Sequence, residues 1–422
     1  MMKYPNTLLL LILGMTAGPS KASDWPQING PHHDRVSSES VEIDWKGQKP
    51  NRNWRIRSNG GFSSFVVGNG KAFFVRTSRV NGEEREVLVA VNRSTGKQIW
   101  DTALGKPHVD GGGDRGTPDN SGGDGPRATA VIDGESVFVY GSQFELFCLN
   151  SETGKLIWKR DILNEFDGSM IKWQNAMSPL VMKDRVLVSG GGEGAAFLAF
   201  SKGDGSLLWK SGEGTVSHVT PVLAKIGNEE QALFMIRSGL VSLDPRTGKE
   251  LWTYPFAIGT SMAASPVVWN NLVHVTAGYG IGGACIELTK SGGNWKVNEL
   301  WRLRGNTRAA SIWSTPVVHE GYLYGFYSHK EYGDGPFKCL DMRTGEAMWQ
   351  EEGFGLGQLV MAGEKLFALT DFGRLHVIAP NPERYTEVAR TNIIDGKCWS
   401  TPAISDGQIF IRSTTAGVCY DL

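Results

Sequence analysis

The stretch LDPRTGKELW, residues 243–252, decides the fold because it keeps returning. VNRSTGKQIW ends at Trp100, LNSETGKLIW at Trp158, FSKGDGSLLW at Trp209 and LDMRTGEAMW at Trp349, and in all five the glycine precedes the tryptophan by four residues. A catalytic motif normally occurs once, whereas a repeated one builds architecture. Asp244 is placed to accept hydrogen bonds from backbone N–H groups ahead of it in an Asx-type turn. Gly248 supplies positive φ where a side chain would be strained. Together they close a hairpin, and Trp252 follows on the outgoing strand. A lone sheet uses an indole surface poorly; a sheet packed face-on against the next uses it well.

Working outward, each unit has the same order. A Ser/Thr-Pro step leads an apolar run, as in MSPLVM, VTPVLA, ASPVVW, STPVVH and STPAIS. A turn with Gly, Asn or Asp follows, then an alternating strand, then a strand ending in Leu-Asp or its equivalent, then the corner and the tryptophan strand. Trp100, Trp158, Trp209, Trp252, Trp301 and Trp349 are spaced by 58, 51, 43, 49 and 48 residues, the length of a propeller blade. A degenerate seventh unit spans LFALTDFGRLHVIAPNPERYTEVAR, with Val388 near the tryptophan position. The last unit stops at GVCYDL without a fourth strand, and NRNWRIR (51–57) offers Trp54 without a preceding corner. Joining the two gives an all-β, eight-bladed propeller of four-stranded antiparallel blades, closed by pairing the N- and C-terminal strands, with no open ring edge. The competing arrangement, two β-sandwiches, leaves the incomplete unit at each end unexplained.

Composition fits a turn-rich, mostly β chain: 54 Gly, 14 Trp and 21% charged residues in 422. The formal net charge of −1 becomes −3 without Lys3 and Lys21; neither value suits a nucleic-acid binder, which shows a basic stripe. Lys3, the apolar run at 8–15 and Ser20-Lys21-Ala22 read as a signal peptide over residues 1–22. The expected product is soluble and periplasmic or secreted. The first cysteine is Cys148, so no lipid anchor is expected. Residues 23–50 read as a leader and 51–422 as the propeller. Cys148, Cys285, Cys339 and Cys419 occupy one place in the repeat and are read as small buried thiols on an inner strand; Cys398 has no assignment.

The Leu-Asp…Thr-Gly-x-x-x-Trp corner resembles that of the quinoprotein-type (PQQ-repeat) propellers, over about residues 51–422. DWPQINGPHHDR (24–35) is similar to the entry segment of soluble members. The resemblance implies the fold; the family includes enzymes and binding scaffolds alike. Its enzymes use adjacent cysteines, an acidic and amide cluster around calcium, a catalytic Asp and a Trp floor beneath the quinone. No two cysteines are adjacent here, and no Arg and Lys cluster at the blade tops is evident, so no cofactor and no metal are expected; PQQ with calcium is the alternative.

Several local patterns are read as architecture. GYGIGG (278–283) is followed by ACIEL, a strand, so it reads as a hairpin rather than a dinucleotide site. DFG (371–373) reads as a β turn, and Asn92-Arg93-Ser94 as a repeat corner rather than a glycosylation site. DGGGDRGTPDNSGGDG (110–125) carries Asp110, Asp114, Asp119 and Asp124, but their spacing matches no standard calcium loop. His32-His33-Asp34 reads as exposed leader. Aligning the units on Ser/Thr-Pro places Arg127, His218, Trp313 and Trp399 at the starts of innermost strands. These four are the candidate channel-mouth residues, either a pocket or a channel plug. Catalytic residues are not assigned.

Two functions follow. The first is an exported, non-enzymatic scaffold for an envelope protein or a small ligand, with a resemblance to the propeller of the outer-membrane β-barrel assembly machinery. The second is a PQQ-dependent oxidoreductase acting on an alcohol or sugar.

Overall fold

The computed structural model describes residues 24–45, 49–58, 60–109, 124–259, 262–306, 308–327 and 334–422. The N-terminal stretch read as a signal and most of the Asp/Gly-rich stretch lie outside them. Eight four-stranded antiparallel blades follow one another along the chain, the first seven with their strands in sequence order from the axis outward. Blade 4 is representative: Val222–Ile226, Glu229–Ile236, Gly239–Leu243 and Glu250–Pro255. The eighth sheet takes its outermost strand from the N-terminal side, Arg52–Arg57, paired with Ala416–Asp421; Trp54 stands opposite Cys419. The ring is therefore closed by strands more than three hundred residues apart.

The corner does what its residues dictate, but for a neighbouring tryptophan. Asp244 Oδ1 accepts from Arg246 N (2.8 Å), as Asn92, Asn150 and Asp341 do in their own corners. Gly248 has φ +73°, and a Cβ there would lie 2.5 Å from Trp209, the tryptophan of the preceding blade. Trp209 Nε1 donates to Pro245 O (3.1 Å) in the same corner. Trp54, Trp100, Trp158 and Trp301 dock on the corners of blades 1, 2, 3 and 6 in the same way. The motif thus joins blade to blade, and Trp54 on Gly96 makes that joint at the closure.

Two departures confirm the rule. Blade 5 has no Thr-Gly corner; its third and fourth strands extend instead to Gly282–Ser291 and Asn294–Leu303. Trp252, with no corner to dock on, turns its N–H to Gln231 Oε1 within its own blade (2.7 Å), and Trp295 and Val297 of the long hairpin pack in its cluster. Blade 8 has chain termini where a corner would be, and blade 7 before it carries no tryptophan. There the register places Ala389 opposite Val377, while Val388 is the bulged residue and is exposed, so the Trp-equivalent position is Ala389, one residue beyond the expected one.

The four equivalent cysteines are buried thiols on third strands, interior to their sheets. Cys148, Cys285, Cys339 and Cys419 stand directly opposite Trp158, Trp301, Trp349 and Trp54. Ala90, Ala199 and Ser242 hold the same place opposite Trp100, Trp209 and Trp252. A small side chain leaves room for the ring, which explains the thiols without any chemistry. GYGIGG is the hairpin between Leu272–Ala277 and Gly282–Ser291, and DFG the turn between Lys365–Thr370 and Arg374–Ile378.

The leader is not an exposed tail. Trp25 exchanges backbone hydrogen bonds with Val67 (2.9 Å each) and is 1% exposed. Asn29 and Arg35, both buried, reach Ser265 and Gln358. Val36–Ser37 then runs parallel to the innermost strand of blade 7, Gly357–Ala362. Glu39 caps the Asp406-Gly407 turn of blade 8. The segment thus enters the channel and leaves along its wall. His33 is partly buried with it while His32 stays exposed, and desolvation with the neighbouring His32 charge holds the His33 imidazole down at about 4.

Candidate functional site

The Ser/Thr-Pro step builds a ring around the channel. Ser64 N donates to Thr129 Oγ1 (2.9 Å), Thr129 N to Ser178 Oγ (2.9 Å) and Ser178 N to Thr220 Oγ1 (3.0 Å). Ser265 Oγ donates to Thr220 O and Ser265 N to Thr315 Oγ1 (both 2.9 Å). Thr401 N donates to Ser64 Oγ (2.8 Å), closing the circle. Most of these hydroxyls accept from a backbone N–H of the neighbouring blade, and that of Ser265 donates to a backbone carbonyl instead, as buried polar groups require. Blade 7 breaks the series with Gln358, whose Oε1 accepts from Arg35 Nη1 (2.8 Å) and Thr401 Oγ1 (3.3 Å).

Two residues before each ring position stand Phe62, Arg127, Ala176, His218, Ala263, Trp313, Leu356 and Trp399. All except Leu356 line one cavity of about 210 Å³ at the channel mouth. The structure therefore brings Arg127, His218, Trp313 and Trp399 together. Trp399 stacks between Phe62 (ring centroids 4.7 Å, 26°) and Trp313 (4.6 Å, 38°), with Lys397 Nζ 4.6 Å from its ring. Extending the same offset to Ser64, which lacks the following proline, finds Phe62. Ile28 and Arg35 from the leader, Trp173, Tyr279 and Gln358 also line the cavity; no repeat signal marks the leader pair or Tyr279.

Opposite the aromatic wall, His218 Nε2 donates to Gln174 O (2.8 Å) and Arg127 Nη1 to Trp173 O (2.7 Å). Trp173 and Gln174 both have left-handed backbone, φ 63° and 58°, a costly arrangement for two successive side-chain-bearing residues. His218 and Arg127 hold those carbonyls in place. Burial, with the Arg127 charge adding to it, presses the His218 imidazole down to about 3, so it is neutral and serves as an N–H donor. Behind Arg127, Glu86 is fully buried and accepts from Ser142 N (3.1 Å) and Oγ (2.5 Å). Burial raises that carboxyl to about 7 against the pull of Ser142 and Arg127.

Two arginines and no Asp or Glu line the cavity, and no group of three His, Cys, Asp or Glu side chains is arranged for a metal among the described residues. A calcium–quinone pair needs an acidic ligand for the ion and a carboxylate base, and the described lining holds no Asp or Glu. The donor set does not fit that cofactor.

The sequence profile of the family described as outer membrane protein assembly factor BamB matches residues 84–351. A BamB of Shewanella oneidensis is 24% identical over 268 residues, 60% of this chain and 63% of that protein; the chain thus spans less than two thirds of this curated relative. A BamB from Moraxella catarrhalis superimposes with a TM-score of 0.59 at 15% identity, over 89% of this chain and 98% of that one. A quinohemoprotein alcohol dehydrogenase from Comamonas testosteroni superimposes with a TM-score of 0.64 at 13% identity, over 94% and 80%. These two structural likenesses concern the fold alone.

Proposed function

Because the chain belongs to the family of outer membrane protein assembly factor BamB, we propose that it is a non-enzymatic scaffold of the cell envelope serving the assembly of outer-membrane proteins. The family match through the middle of the ring carries this reading. An exported, periplasmic location goes with it, resting on the N-terminal signal pattern. No helix among the described residues is long and apolar enough to cross a membrane.

The partner surface we assign is the outer rim of blades 2 and 3. Leu156 and Ile157 on one outermost strand, and Leu207 and Leu208 on the next, are exposed. Each strand offers an open backbone edge beside its aliphatic residues, the combination that strand addition uses. The oxidoreductase alternative draws on fold likeness only, and the cavity lacks the acids it needs. The test is deletion of the gene in its source organism, with outer-membrane β-barrel proteins quantified in isolated envelopes. Their levels should fall, recover with the wild-type gene, and recover poorly with the Ile157→Asp/Leu208→Asp double variant. Unchanged levels in the deletion strain would refute the assembly role.

A further inference from the structure

Arg35 is 2% exposed, and an arginine so buried is ordinarily paired with an acid. Its recorded acceptors are all neutral: Nε donates to Asn29 Oδ1 (3.0 Å), and Nη1 to Gln358 Oε1 (2.8 Å) and Thr315 O (3.5 Å). Nη2 makes no hydrogen bond among the described residues, and the side chain lines the cavity. Burial alone lowers the guanidinium, to about 9, with no acid opposing it, so it carries its charge at neutral pH.

Arg412 provides the contrast. It is equally buried and its recorded partners are neutral too, but Ser58 Oγ, Ser63 O and Gly60 O occupy Nε, Nη1 and Nη2, and it lines no cavity described here. Each of its three nitrogens donates within the fold. Nη2 of Arg35 does not, and the side chain faces a space that a ligand can enter.

We infer that this cavity binds a small carboxylate with a flat apolar body, the anionic end on Arg35 and the body against Trp313 and Ile312. The size agrees. A dry cavity of about 150 Å³ holds benzene, so about 210 Å³ accommodates an aromatic ring bearing one carboxylate. Charge agrees as well, since Arg127 adds a second cation at the lining and no described acid there competes for the site. The guanidinium fork matches a carboxylate better than any neutral acceptor. This inference is independent of the assembly role, because the cavity lies in the channel and the proposed partner surface on the outer rim.

The test uses benzoate and its neutral isostere benzamide in calorimetric titrations of the folded chain. Wild type should bind benzoate at least about tenfold more tightly, a preference of ~1.4 kcal/mol. Asn29→Asp supplies the missing counter-ion from within, since Asn29 Oδ1 already accepts from Arg35 and Ser265 Oγ, 3.2 Å from Asn29 Nδ2, can exchange its bond to Thr220 O for one to the new oxygen. Asn29 does not line the cavity. The variant should retain benzamide binding and lose the preference for benzoate, with an unchanged or raised melting temperature. Equal affinity for the two compounds in wild type, no benzoate binding, or a preference that survives in a folded Asn29→Asp variant would each overturn the inference. The wild-type comparison decides even if the variant does not fold.

Discussion

Gly248 lies against the indole of Trp209, one blade back: a Cβ added to the glycine would stand 2.5 Å from Cε3. Sequence places this glycine four residues before Trp252, yet its contact is with the earlier ring. Gly248→Ala therefore meets two obstacles, a clash across the blade interface and a φ of +73° that alanine resists. The expected loss is about 2–3 kcal/mol, within the range for strained backbone, read from urea denaturation midpoints. Gly407→Ala is the control. It too has positive φ, +67°, but nothing stands within 4 Å of its Cβ position, so it should cost only the backbone share.

Thr129 and Ser64 test the hydroxyl ring. Thr129 is fully buried, and its Oγ1 is the acceptor for Ser64 N. Thr129→Val keeps the shape and removes the acceptor, leaving a buried backbone donor unmet. The cost should be ~1–3 kcal/mol in the same denaturation assay. Thr415→Val, at an exposed position outside the ring, should change stability less.

What sequence could show was whatever repeats. The tryptophan spacing, the Ser/Thr-Pro step and the unmatched strands at the two ends are periodic or complementary, and they led to the ring and to four cavity residues. The leader's path was hidden because its contacts have no period: Asn29 reaches Ser265 across 236 positions and Arg35 reaches Gln358 across 323. Blade 7 keeps the bulge that accompanies the tryptophan in the other blades, so its Trp-equivalent is Ala389, next to Val388; without an indole or a Thr-Gly corner the sequence marks that position only approximately. The cysteines' burial was legible from their shared place in the repeat, whereas their packing partner, the opposite tryptophan, lies across the corner and shows only in the register.

The thiols should be silent in the folded chain. All five cysteines are buried and none forms a disulfide, and burial pushes Cys148 up to about 11 and Cys285, Cys339 and Cys419 to about 12. The thiolate is the reactive form. At pH 8 a thiol-specific chromogenic disulfide should therefore react with none of the five in the native protein within minutes, and with all five in guanidinium. Rapid native labelling at Cys339, located by peptide mass, would mean that the slot beside Trp349 opens easily.

His218 gives a pH dependence whose sign can be worked out. Its folded value is about 3, against roughly 6.5 for an unfolded histidine. Between those values the unfolded chain holds one more proton than the folded chain at this site. Its contribution to stability therefore rises with pH across the window and is lost on acidification from 6.5 towards 3. His218→Gln keeps an N–H donor for Gln174 O and removes the titration. The stability curve of the variant between pH 4 and 6 should be shallower by up to ~1.4 kcal/mol per pH unit, measured by denaturation at each pH. Parallel curves for the two proteins would show that His218 is not buried neutral.

Ring closure rests on Ala416–Asp421, which lies between Gln408–Arg412 and Arg52–Arg57 in the eighth sheet. Removing residues 416–422 leaves Arg52–Arg57 without its neighbour and uncovers the strand edge of Gln408–Arg412. Trp54 loses Cys419 opposite it while its ring still belongs on the Arg93–Gly96 corner of blade 1. The blade 8 to blade 1 joint then has no sheet behind it, and two apolar edges are exposed to pairing with other chains. The truncated chain should aggregate on purification, or melt without a single cooperative transition. Adding back a peptide of the 416–422 sequence should restore partial cooperativity, because the missing piece is a strand with pairing partners on both sides. A truncated chain that stays monomeric and melts as the full chain does would mean that the ring is held by the leader and the hydroxyl circle, without need of its closing strand.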